Sequence, residues 1–106
     1  GEALYTVMDR CCGPDLVDVA AGGALPPSSV RALGRQMLLA LAAVHGVGLM
    51  HRDVKPENFR FRDAAAQTLQ LLDFGFAKPA GSQPARHTVT GTLLYAAPEV
   101  FDGLYC

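Results

Sequence analysis

Apolar positions along the chain fall into runs of different period, and each run predicts a different element. Ala3-Leu4-Tyr5-Thr6-Val7-Met8 is short, apolar and β-prone, and it ends at Asp9-Arg10, which predicts a strand. Cys11-Cys12-Gly13-Pro14 follows as a turn signal. Asp15 to Ala20 suits a short helix, with Leu16, Val17 and Val19 available to pack, before Gly22-Gly23 and Pro26-Pro27 interrupt it. Leu33, Met37, Leu38, Leu41 and Val44 then recur at helical steps, which predicts a long helix capped by Ser28 or Ser29 and stopped at Gly46.

Ala40, Ala42 and Ala43 strengthen that helix through their propensity. It is apolar over much of its girth, so its stripe reads as structural and should bury against more protein than the chain supplies. His45 near its end suits packing or the negative end of the helix dipole better than a ligand role. Further on, Asn58-Phe59-Arg60-Phe61-Arg62 and Leu69-Gln70-Leu71-Leu72-Asp73 alternate or run apolar, and predict two short strands joined by a loop over Asp63 to Thr68. Pro79 to Thr92 is rich in Pro, Gly, Ser and Thr without apolar periodicity and predicts a loop, and Asp102-Gly103 is a turn signal.

Composition narrows the classes. With 50% hydrophobic residues and a mean hydropathy of +0.19, the chain suits a piece of a globular core. A net charge of −1 and a pI near 6.3 provide neither a basic field for nucleic acid nor a polybasic membrane signal. The longest apolar stretch, Met37 to Val44, is bounded by Arg35 and His45 and falls short of the roughly 20 residues a spanning helix needs, so no membrane or signal segment is expected in this stretch. Cys11, Cys12 and Cys106 are an odd set without a His or Cys cluster behind them, and read as reduced thiols of an intracellular, cytoplasmic protein.

Candidate chemistry concentrates in His51-Arg52-Asp53-Val54-Lys55-Pro56-Glu57-Asn58 and, one expected hairpin later, Asp73-Phe74-Gly75. Asp53 is a carboxylate able to accept a proton from an attacking hydroxyl, and Lys55 is a cation able to neutralise phosphate charge. The carbonyl oxygen of Asn58 and the carboxylate of Asp73 are hard ligands for a hard cation. This is phosphoryl-transfer apparatus, against the alternative of a solvated polar turn. Each short motif alone is weak; their order and spacing, with Ala97-Pro98-Glu99 third in line, make the signal specific.

Together these motifs resemble the catalytic loop, magnesium loop and closing signature of eukaryotic protein kinases. The resemblance runs from the start of the chain to Glu99 and implies a partial α+β kinase fold. Residues 1–15 would be the end of the small lobe and the hinge, and residues 16–106 the first half of the mainly helical large lobe, with a long central helix, a short catalytic-loop hairpin and an activation segment. The Gly-rich loop, the ATP-anchoring Lys, its Glu partner and the helices after Glu99 would lie outside, so the chain alone is expected to be inactive and marginally stable.

The resemblance further implies ATP and Mg2+ as cofactors and protein substrates with Ser or Thr acceptors, the last from Lys55-Pro56-Glu57. Met8 would be the gatekeeper, and the backbone of Asp9 and Cys11 would meet the adenine edge, with Asp15 near the ribose hydroxyls. A plain edge strand and turn is the alternative for that stretch. Asp53 would be the general base, Lys55 would meet the γ-phosphate, Asn58 and Asp73 would hold magnesium, and His51 and Phe74 would keep the loops in register. The Thr92 hydroxyl would bond Asp53 and Lys55, and Leu93-Leu94-Tyr95-Ala96 would line the pocket for the residue after the acceptor.

Regulation is implied as well. Arg52 and Lys78 would receive a phosphate on Thr88, with Ser82 and Thr90 as rivals. Lys55-Pro56-Glu57-Asn58-Phe59 and Tyr95-Ala96-Ala97-Pro98-Glu99-Val100 lean toward the calcium- and calmodulin-dependent group. One position departs from the pattern: Arg60 stands where an apolar side chain normally floors the adenine site, and is expected to turn to solvent or pair with an acidic neighbour. A pseudokinase or scaffold fits Arg60 but not the full set Asp53, Lys55, Asn58 and Asp73. A small-molecule phosphotransferase shares the Asp, Asn and second Asp but is not expected to carry Lys-Pro-Glu or Ala-Pro-Glu.

Overall fold

The computed structural model describes residues 1–81 and 91–102. Helix α1 spans Leu16–Ala21 and α2 spans Pro27–Gly46. Strand β1 (Leu49–Met50) pairs antiparallel with β4 (Lys78–Pro79), and β2 (Phe59–Phe61) pairs antiparallel with β3 (Leu69–Leu71). Single 3-10 turns cover Pro56–Asn58 and Leu93–Tyr95, and α3 covers Pro98–Phe101. The result is an α+β arrangement of helices and small antiparallel sheets.

The period-two pattern of β2 turns Phe59 and Phe61 to one face, where both are fully buried, and Arg60 to the other. Leu16 from α1 and Leu69 from β3 complete the buried cluster, and Leu33, Met37 and Ala40 of α2 pack against it. Gln36 fastens α2 to the hairpin with both ends of its amide: Nε2 donates to Gln67 O at 2.8 Å, and Oε1 accepts from Leu69 N at 2.8 Å. One side chain thereby serves backbone groups that a further strand would otherwise satisfy.

The segment after residue 11 runs along the free edge of β2. Cys12 N donates to Arg62 O (3.0 Å), Gly13 N to Phe61 O (3.1 Å), and Phe61 N to Pro14 O (3.0 Å), with an isolated bridge between Asp15 and Arg60. Gly13 is required there because a Cβ would lie 2.5 Å from Phe61 O and press on Asp63 O.

Several expectations are corrected. Residues 3–8 form no strand: a strand is held by ladder bonds to a neighbour, none is present among the described residues, and Leu4 and Val7 are 98% and 95% exposed. Helix α2 starts at Pro27, before Ser28 and Ser29, because proline at the first helical position has no N–H to satisfy and a preset φ. It runs through Gly46, and the exit is made by Gly48 at φ 75°, whose N–H bonds His45 O at 2.9 Å. Leu38 is 69% exposed and lies off the packed face that Leu33, Met37 and Val44 occupy. The β1–β4 pair was not anticipated, since two-residue strands carry no readable period.

Candidate active site

The site is built on the loop between β1 and β2. His51, 1% exposed, anchors it: Nε2 lies 2.8 Å from Leu72 O and Nδ1 accepts from Asp53 N at 3.2 Å. That pair of bonds suits the neutral ring with its proton on Nε2. Phe74 meets the ring edge-on at 4.9 Å between centroids, although it is itself 46% exposed and no core residue. Arg52 takes φ 68°, and its Nε donates to Phe76 O at 2.6 Å, tying the first loop to the segment after Asp73.

Asp53 is buried and gathers the surrounding polar groups. Its Oδ1 accepts from Thr92 N (3.0 Å) and from the Thr92 hydroxyl (2.9 Å). Its Oδ2 lies 3.2 Å from Asn58 Nδ2 and 3.5 Å from Lys55 Nζ. Lys55 Nζ also donates to Thr92 Oγ1 at 2.5 Å, closing a triangle of carboxylate, ammonium and hydroxyl. Burial pushes the Asp53 carboxyl up, but the Thr92 hydroxyl, the Asn58 amide, the Lys55 charge and the Thr92 N–H outweigh it and hold it below its ordinary value of 3.8.

Asn58 is buried at the end of the first 3-10 turn, and its Nδ2 is committed to Asp53 O (2.7 Å) as well as Oδ2. The side-chain carbonyl oxygen is left as the group it can offer a cation. Asp73 is exposed at φ 57°, accepts Gly75 N on Oδ1 at 3.2 Å, and follows Leu72, whose N–H bonds Asn58 O at 2.7 Å. An amide oxygen and a carboxylate held by neighbouring turns fit a magnesium ion, which takes few protein ligands and shares the rest with phosphate and water.

Thr92 reaches Asp53 because Gly91 lets the backbone pass close to Arg52. At φ 95°, a Cβ on Gly91 would lie 2.6 Å from Arg52 O. Gly91→Ala should therefore displace Thr92 and lower stability by roughly 1–3 kcal/mol as the buried Asp53 carboxylate loses its partners. Urea midpoints of the two proteins check it. Gly91 had a readable sequence signal, a glycine directly before the candidate threonine.

Beside Asp53 lies a cavity of about 190 Å3 lined by Arg52, Val54, Tyr95, Ala96, Ala97 and Val100. Tyr95 and Ala96 of the expected run Leu93 to Ala96 are in this lining, whereas Leu93 and Leu94 are 60% and 92% exposed and are not. A second cleft of about 450 Å3 is lined by Met8, Asp9, Arg10, Cys11, Arg60 and Leu72. The Arg60 head is paired: Nε donates to Gly13 O at 2.8 Å and Nη1 to Asp15 Oδ1 at 3.3 Å. Cys11 Sγ donates to Gln70 Oε1 at 2.6 Å, a contact with no sequence signal, and both Cys11 and Cys12 are free thiols. Lys78 sits half-buried in β4. Ser82, Thr88 and Thr90 lie outside the described residues.

The chain belongs to the protein kinase domain family, whose family model matches residues 1–105. It is 41% identical over 103 residues to the serine/threonine-protein kinase RAD53 of Saccharomyces cerevisiae, covering 96% of this chain and 12% of that protein. It is 43% identical to the mouse testis-specific serine/threonine-protein kinase 3, covering 95% of this chain and 38% of that one. Calcium-dependent protein kinase 5 of Plasmodium berghei is 34% identical, over 98% of this chain and 19% of that protein. The chain thus spans well under half the length of these relatives.

Proposed function

We propose that the full-length parent of this chain is a protein serine/threonine kinase that transfers the γ-phosphate of ATP to Ser and Thr hydroxyls of protein substrates. The observation that carries this reading is the Asp53–Lys55–Thr92 triangle, in which one buried carboxylate and one ammonium converge on a single hydroxyl. Asp53 orients the acceptor hydroxyl and takes its proton as the hydroxyl oxygen bonds the γ-phosphorus and the bond from that phosphorus to the bridging oxygen breaks, releasing ADP; held low in pKa, it is ionised throughout the neutral range. Lys55 neutralises charge on the transferred group, and Thr92 holds both in register. Asn58 and Asp73 would hold magnesium, which supplies positive charge to the phosphates.

In this reading the cleft at Asp9 and Cys11 receives the base. Arg52 and Lys78 are candidates to receive a phosphate on Thr88, although the Nε of Arg52 is already bonded to Phe76 O. Relatives named as serine/threonine kinases support the acceptor class. The free thiols suit a reducing, cytoplasmic compartment.

The test is magnesium-dependent transfer from labelled ATP to matched Ser, Thr and Tyr peptides by the full-length parent. Transfer to Ser and Thr over Tyr is expected. Nucleotide binding without turnover would replace this reading with the pseudokinase, and transfer to small alcohols alone would replace it with a small-molecule phosphotransferase.

A further inference from the structure

We propose that Arg60 sets the nucleotide affinity of this protein, by placing a tethered guanidinium in the wall of the cleft where hydrocarbon would bind a base more tightly. The inference rests on the reading of that cleft as the base site. Its volume of about 450 Å3 falls in the range of small-ligand pockets. It adjoins the candidate metal ligands through the chain itself: Leu72, in its lining, precedes Asp73 and bonds Asn58 O, and Arg60 lies two residues after Asn58.

Three observations make Arg60 the determinant. The alternation of β2 forces it away from the Phe59 and Phe61 face and into the cleft. Its Nε and Nη1 are held by Gly13 O and Asp15 Oδ1, so the head cannot leave for solvent without losing both bonds. The side chains of Arg60 and Asp15 are still 41% and 43% exposed, so a ring entering the cleft must strip water from a charge that currently keeps it. Stacking on the guanidinium plane offsets part of this loss.

The experiment is calorimetric titration of the full-length parent with MgATP, for wild type, Arg60→Leu, Arg60→Met and Arg60→Lys. Arg60→Leu and Arg60→Met should tighten ATP binding roughly threefold to tenfold, as apolar area replaces a desolvated charge. Arg60→Lys should stay near wild type. Two apolar variants are used because loss of the bond to Gly13 O could unfold one of them, and circular dichroism reports which are folded. Folded apolar variants that bind ATP as wild type does, or more weakly, overturn the inference. If wild-type protein and folded variants transfer phosphate with unchanged ATP affinity, this inference alone fails. If none of them binds nucleotide, the reading of the cleft fails with it.

Discussion

Asp53→Asn in the full-length parent is expected to lower kcat by about 10²–10⁴-fold, the usual contribution of a positioned acid or base. Asparagine keeps the size of the side chain and an oxygen able to accept the Thr92 N–H, but its amide nitrogen faces Asn58 Nδ2 and Lys55 Nζ, so charge, basicity and the bonds on the Oδ2 side are lost together. The KM for ATP should move little, because the cleft around Arg60 and Leu72 contains no Asp53 atom. Asp73→Ala should produce a comparable loss accompanied by a raised magnesium requirement, which separates a metal ligand from a base. Retention of kcat within tenfold of wild type by Asp53→Asn would remove Asp53 from the chemistry.

The same substitution has a pH signature. The Asp53 carboxyl is lower in the folded protein than in the unfolded chain, so its stabilising contribution is complete above its ordinary value of 3.8 and fades as pH falls through the lower folded value. Urea midpoints followed from neutral pH into acid should show this fade in wild type and its loss in Asp53→Asn.

Phe59→Ala is expected to destabilise the domain by about 3–5 kcal/mol, the usual effect of removing a fully buried aromatic ring. Phe59 is 0% exposed at the centre of a small cluster that joins α1, α2 and the hairpin. Stabilities of whole domains are only about 5–15 kcal/mol, so one such change removes a large share. The effect should also reach the site, because Asn58 and Arg60 flank Phe59 and Leu72 bonds Asn58 O. Urea denaturation of the parent followed by circular dichroism measures it, and a midpoint unchanged from wild type would place the core elsewhere.

The two short strands around the Asp63 to Thr68 loop were legible because Phe59 and Phe61 alternate with Arg60, a period that only an extended segment can use. The long helix was legible from Leu33, Met37, Leu41 and Val44, but its ends were not, since Pro27 and Gly48 act through local backbone geometry. The run at Ala3 to Met8 misled because β-propensity describes a surface that fits a sheet, and here no neighbouring strand is present among the described residues. Leu93 and Leu94 misled for a related reason: apolar character does not say which way a 3-10 turn directs a side chain.

What the chain determined by itself is the inventory: a carboxylate, an ammonium, an amide and a second carboxylate at spacings that phosphoryl transfer can use, with a helix and a hairpin to carry them. Those follow from side-chain chemistry and from periods of 3.6 and 2, which are local properties. What only the tertiary structure decided is how distant residues meet. Thr92 lies 39 positions from Asp53 and reaches it through the close pass at Gly91, and Arg60 finds Asp15 across 45 positions. Partners that far apart are chosen by packing and by the need to satisfy buried polar groups, and no local period encodes that choice.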